Sequence, residues 1–157
     1  MTPQQEQALT RIAQAAVAAE RTTGCPAELS AAQCIEESAW LTRAPGCNCF
    51  GIKATDTHET YEQTKEYLNG QWQTMTLAFE AYDSLADCFV AHARLIQGGR
   101  YLPAWQQYQT DHSLDNLISN IAPIYASDPG YAAEIRTLAH GPHVAAAIVS
   151  QRLTYGV

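Results

Sequence analysis

Gln33-Cys34-Ile35-Glu36-Glu37-Ser38-Ala39-Trp40, followed closely by Asn48-Cys49-Phe50-Gly51-Ile52-Lys53-Ala54, is the stretch on which the reading of this chain turns. It sets a carboxylate near the end of a helix against a turn that bears an aromatic ring. A carboxylic acid held partly out of water keeps its proton near neutral pH and can pass it to a leaving oxygen. Two glutamates compete for that role. Neighbours on a helix point about 100° apart, so Glu36 and Glu37 cannot both face one cleft. Glu37 shares a face with Gln33 and Leu41, and Glu36 shares one with Leu29 and Ala32.

Thr2 as N-cap with Pro3 at the first helical position opens a helix through about Ala19, with Leu9, Ile12, Ala16 and Val17 on one face. Thr22 to Pro26 breaks it, and a second helix is expected from about Pro26 to Trp40. From Gly51 to Tyr82 the Ala-rich period gives way to Thr, Tyr, Trp and alternating polar residues, and Asn69-Gly70 is a strong hairpin signal. This predicts a small β lobe over about 51–82, with Glu62, Thr64 and Glu66 on one strand face and Tyr61, Gln63, Lys65 and Tyr67 on the other. Ser84 with Asp87 resembles a capping box, and Leu85, Cys88, Phe89, His92, Leu95 and Ile96 make an apolar helix face ending at Gly98-Gly99. Shorter helices are expected near Pro103 to Tyr108, Ser113 to Ala122, Gly130 to His140 and His143 to Leu153. The sum is an α+β fold in one domain, 1–157, with a cleft between a helical body and a β lobe.

The chain has 157 residues and a formal net charge of −7, which disfavours nucleic acid as a partner. No apolar run approaches a membrane span, so membrane insertion is not expected. The N-terminus lacks the basic start and apolar stretch of a secretory signal, so export would need trimming or another route. Five cysteines leave at least one thiol free in a monomer, the oligomeric state expected here. Cys34 and Cys88 read as buried thiols. Cys25, Cys47 and Cys49 lie in loops, where one bridge is conceivable in an oxidising compartment. The histidines His58, His92, His112, His140 and His143 show no paired ligand spacing, and Cys47-Asn48-Cys49 is not zinc-like, so neither metal nor cofactor is expected. His92, on an apolar helix face, reads as a hydrogen-bonded core histidine.

Several segments, in order, resemble glycoside hydrolase family 73, the N-acetylglucosaminidase domains of the flagellar-rod peptidoglycan hydrolase and of bacterial autolysins. Gln33 to Trp40 resembles its A-Q-x-x-x-E-S-x-W signature and Asn48 to Ala54 its N-x-F-G-I-K-A. Thr64 to Gly70 resembles T-x-E-Y-x-N-G, and Phe79 to Ser84 resembles F-R-x-Y-x-S. His92 to Leu95, Arg100-Tyr101 and Tyr125 to Ala132 match H-A-x-L, R-Y and Y-A-T-D-P-x-Y-A. The chain departs at Glu36, where relatives commonly carry an apolar residue, and at Ile124, where glycine is common. The resemblance implies a lysozyme-like fold and cleavage of the GlcNAc-β-1,4-MurNAc bond of cell-wall glycan strands, outside the cytoplasm.

It also implies roles. Glu37 would be the general acid, although a helical glutamate is ordinarily just solvated. Glu66 would be the second carboxylate, with Glu62 on the same face as its competitor. Tyr125 would hold the N-acetyl group or the reacting centre, against the plainer reading of an aromatic plug. Trp40, Asn48, Phe50 and Tyr101 are candidate cleft residues, because sugars stack on aromatic faces and amides bond their hydroxyls; for Trp40 and Phe50 core packing is the alternative. A muramidase or lytic transglycosylase shares the E-S element, and a glycan-binding module that lost turnover is the rival of another class. A cysteine or serine hydrolase finds no nucleophile setting.

Overall fold

Described residues 1–54 and 59–156 of the computed structural model form seven α-helices and one hairpin, in the order α1 (Pro3–Thr23), α2 (Ala27–Ser38), β1 (Glu59–Leu68), β2 (Gln71–Glu80), α3 (Leu85–Ile96), α4 (Leu102–Asp111), α5 (Leu114–Tyr125), α6 (Tyr131–Ala139) and α7 (Pro142–Thr154). The lobe expected over 51–82 thus includes a short stretch, His58 among it, outside the described residues.

Helix α1 starts on a full capping box, in which Thr2 and Gln5 each bond the other's backbone N–H. It runs past the expected stop near Ala19 until Gly24 adopts a left-handed φ of 80°. Helix α2 is the centre of the body. Ala27, Ala31, Cys34 and Ile35 join a core cluster with α1, α3 and α7, while Leu29 and Ala32 join a second cluster with α3, α4, α5 and α6. Alanines on both sides let neighbouring helices close in, so that nine of the twelve residues of α2 are buried. Only Glu28, Glu36 and Glu37 of α2 escape burial, so it presents charge at its two ends, Glu28 in the first turn and Glu36 and Glu37 in the last.

The hairpin follows its sequence closely. Asn69 and Gly70 take φ of 52° and 79°, the double positive φ of a type I′ turn, and Leu68 pairs with Gln71. Glu62, Thr64 and Glu66 form the half-buried face of β1, and Tyr61, Gln63, Lys65 and Tyr67 the exposed one. A bridge between Lys53 and Phe79 joins the segment after the cleft turn to β2.

Far from the cleft, Arg152 of α7 donates to both carboxylate oxygens of Glu20 (2.6 and 2.9 Å) and of Glu28 (2.6 and 2.9 Å). Glu20 also accepts the Ala27 N–H at 3.0 Å, so one guanidinium ties α7 to α1 and to the first turn of α2. These side chains are 29% and 22% exposed, which places the cluster between a surface pair and a buried one. Arg152→Met leaves two facing carboxylates without a cation, at a cost of about 2 kcal/mol. A thermal melt lowered by about 4–8 °C is the expected result, and an unchanged melt would refute it.

Candidate active site

Helix α2 ends two residues before the expected Trp40, without a glycine. Ser38 terminates it: its hydroxyl donates to the Cys34 carbonyl at 2.6 Å, and its oxygen accepts the Leu41 N–H at 2.9 Å. Ala39, Trp40 and Leu41 then take consecutive left-handed φ of 47°, 60° and 63°. Such a conformation costs a side-chain-bearing residue about 1–2 kcal/mol. The offset includes bonds from the Trp40 N–H to the Ile35 carbonyl and from the Arg43 N–H to the Ser38 carbonyl. The chain is thereby turned sharply away right after Glu37, leaving that side chain at the edge of open space.

That space is a cleft of about 730 Å³. Glu37, Leu41 to Pro45, Asn48 and Gly51 line one side, and Glu62, Gln63, Thr64 and Phe79 of the hairpin line the other. Leu41 lines the same cleft as Glu37, but it lies beyond the end of α2 and reaches the wall through the left-handed turn, not by the helical spacing expected of it. Glu37 is open to the cleft, yet the protein around it displaces enough water to raise its carboxyl above the usual range. A hydrogen bond from Tyr131 opposes the rise, Glu36 adds to it, and Arg43 opposes it.

Behind Glu37 lies a polar chain running into the core. The Tyr131 hydroxyl donates to Glu37 Oε1 over a long 3.4 Å and accepts from Gln33 Nε2 at 2.9 Å. Gln33 Oε1 meets His92 Nε2 at 2.8 Å. Gln33 and Glu37 reach the same tyrosine because they are one helical turn apart. His92 is fully buried, which lowers its pKa to about 3 and keeps the ring neutral. Phe50 stacks on the His92 ring at 3.9 Å and meets Phe89 edge-on.

The other expected site residues fall in different settings. Tyr125 lies nearly parallel to Tyr131 in an offset stack, ring centroids 5.7 Å apart, and burial pushes its hydroxyl well up, the Glu37 charge contributing. Glu66 sits beyond Glu62 on the same face of β1, about 13 Å further along the strand, and accepts from the Thr64 hydroxyl at 3.2 Å. Trp40 packs on the first core cluster. Phe50 and Tyr101 are buried, 5% and 7% exposed, and Tyr101 lies beside Tyr125 in the second cluster. Asn48 is 2% exposed, and its amide bonds the Ile52 and Glu80 carbonyls and the Phe50 and Ile52 N–H groups. Tyr131 was not a candidate from the sequence, and Gln33 was placed on the Glu37 face without a role in the site. Tyr131 stands in the same motif as Tyr125, and the i, i+4 spacing of Gln33 and Glu37 was the available sign.

All five cysteines are free, so the loop bridge conceivable from the sequence is not formed. Cys49 instead lies 3.8 Å from Cys88, Sγ to Sγ, inside the core, where burial raises its thiol. Burial likewise pushes Cys25 up to about 12. No helix among the described residues is long and apolar enough to cross a membrane.

The family profile Glucosaminidase, described as mannosyl-glycoprotein endo-beta-N-acetylglucosaminidase, matches residues 13–142. A protein of Lactococcus lactis subsp. cremoris (strain MG1363) named "Probable N-acetylmuramidase" is 32% identical over 118 residues, 68% of this chain and 26% of that protein. The "Autolysin" of Enterococcus faecalis is 32% identical over 122 residues, 71% of this chain and 17% of that protein. The chain therefore spans about a quarter or less of these relatives. Among solved structures, the C-terminally truncated glycoside hydrolase domain of Salmonella typhimurium FlgJ superposes with a TM-score of 0.70 at 26% identity, covering 86% of this chain and 95% of that one. The catalytic domain of the Listeria monocytogenes autolysin Auto gives 0.74 at 23% identity, covering 99% and 88%, a likeness of fold. The lysozyme-like helical body with a two-stranded hairpin is shared with them.

Proposed function

Because the chain belongs to the glucosaminidase family, glycoside hydrolase family 73, we propose that it is a peptidoglycan hydrolase acting outside the cytoplasm, cutting the GlcNAc-β-1,4-MurNAc bond with Glu37 as general acid. The observation that carries this reading is the setting of Glu37: a carboxyl raised by partial desolvation, at the end of a buried helix, facing a cleft walled by a hairpin. A glycan strand lies along that cleft. Glu37 gives its proton to the glycosidic oxygen as the bond to the anomeric carbon breaks, and water completes the product at that carbon. Tyr125 serves the N-acetyl group or the reacting centre.

The second carboxylate is Glu66, brought over the sugar when the hairpin bends onto bound glycan. Glu62 is the alternative, supported by its position on the cleft wall facing Glu37. Glu66→Gln is expected to lose about a hundredfold or more in turnover, with Glu62→Gln losing less and the product released as the α anomer. The reverse order of losses gives the role to Glu62. Small losses in both, with β product seen by NMR, give it to the sugar's own N-acetyl oxygen.

The names of the relatives favour a second reading, a muramidase. Reductive labelling and mass spectrometry of fragments from purified peptidoglycan test both. Reducing GlcNAc ends support the glucosaminidase, reducing MurNAc ends the muramidase, and anhydro-MurNAc a lytic transglycosylase. Binding to sacculi without any fragments would leave a glycan-binding module.

A further inference from the structure

We infer that Gln33 and His92 are positioning residues, which aim the Tyr131 hydroxyl at Glu37. Their consequence for turnover rests on Glu37 being the general acid, but the arrangement itself does not. The direction of the chain is decided at its buried end. His92 Nδ1 has no hydrogen-bond partner, whereas Nε2 lies 2.8 Å from Gln33. A proton on Nδ1 would be an unpaired donor in the core, a rarer and costlier defect than a bare lone pair. The proton therefore sits on Nε2, which donates to Gln33 Oε1. The Gln33 amide is then oriented with Nε2 toward Tyr131, 2.9 Å away. The Tyr131 oxygen accepts that N–H, so its single O–H is free to point outward, to Glu37 Oε1.

With the amide reversed, Gln33 would accept the Tyr131 proton and Glu37 would face a lone pair instead of a donor. Burial holds the arrangement in one sense. Gln33 and His92 are both 0% exposed, Phe50 stacks on the imidazole, and the ring stays neutral down to about pH 3. No change in the working range reverses it. The chain thus supplies a fixed dipole directed at the carboxylate, favouring Glu37 after it has given up its proton.

The other groups that act on Glu37 are Glu36 of α2, Arg43 in the loop after it and Tyr125 at the end of α5, and Glu62 of β1 lines the same cleft. None depends on the orientation of Gln33, so a variant there isolates the chain. Titration of Glu37 followed by carboxyl carbon NMR on labelled full-length protein is the test. Tyr131→Phe removes the donor and is expected to raise the midpoint by about half a pH unit. Gln33→Met, similar in shape and unable to bond, should raise it in the same direction, and the double variant should add little more. His92→Phe serves as a second probe of the same chain if Gln33→Met fails to fold.

A midpoint unmoved in folded Gln33→Met or His92→Phe would overturn the inference. So would full additivity of Gln33→Met and Tyr131→Phe. The NMR midpoint is read without turnover, so shifts seen in a protein whose wall digestion is indifferent to Glu37→Gln would uphold the chain and sink the catalytic reading. The opposite pair of results would do the reverse.

Discussion

Glu37→Gln leaves the melting temperature near that of wild type and lowers the release of reducing ends from purified peptidoglycan by about two to four orders of magnitude. The side chain is open to the cleft, so an isosteric amide meets no new steric demand, and its oxygen still accepts the Tyr131 hydroxyl. Only the transferable proton is lost. The pH dependence has a definite sign. An acid must carry its proton to act, so wild-type turnover falls as pH rises through the Glu37 pKa. Because desolvation raises that pKa above 4.5, the falling limb lies higher than an ordinary glutamate would set it. The residual activity of Glu37→Gln should lack that limb. Undiminished turnover in the variant would remove Glu37 from the mechanism, and unchanged binding to sacculi would show that the cleft had stayed intact.

Much of this was legible in the sequence where local rules decide. Asn69-Gly70 dictates the hairpin and its register, and with the register comes the alternation that puts Glu62, Thr64 and Glu66 on one face. Helical spacing separated Glu37 from Glu36 and grouped it with Gln33, whereas Leu41 reaches the cleft through the turn that ends α2. What escaped is what long-range packing decides. Tyr125 and Tyr131 flank the Asp128-Pro129 turn, one closing α5 and the other opening α6, and no local pattern says which hydroxyl meets Glu37. The packing of α6 on α2 decides it in favour of Tyr131. Likewise no glycine announces the left-handed run at Ala39 to Leu41, because the Ser38 hydroxyl, a group that also fits inside helices, makes the bonds that end α2. The contact of Cys49 with Cys88 joins a loop to a distant helix, and reading the loop cysteines against one another could not find it.

Asn48→Ala is expected to cost about 3 kcal/mol, lowering the melting temperature by roughly 6–12 °C. A carboxamide has two donor hydrogens and two acceptor lone pairs, and here all four are committed to backbone. Nδ2 donates to the carbonyls of Ile52 at 2.7 Å and Glu80 at 3.0 Å, while Oδ1 accepts the N–H groups of Phe50 at 3.3 Å and Ile52 at 3.1 Å. Alanine leaves both N–H groups without their partner, although the Ile52 carbonyl keeps the Glu80 N–H at 2.9 Å. The turn so released carries Phe50, whose ring lies on His92, and it is fastened to the end of β2, the hairpin's return strand. Turnover should therefore fall together with stability, because one side chain holds the cleft floor to its wall. An amide that bonded the sugar instead would give another pattern, a raised KM with an unchanged melt. That outcome would mean the Asn48 side chain breaks its backbone bonds when glycan enters, and that the turn is stable without them.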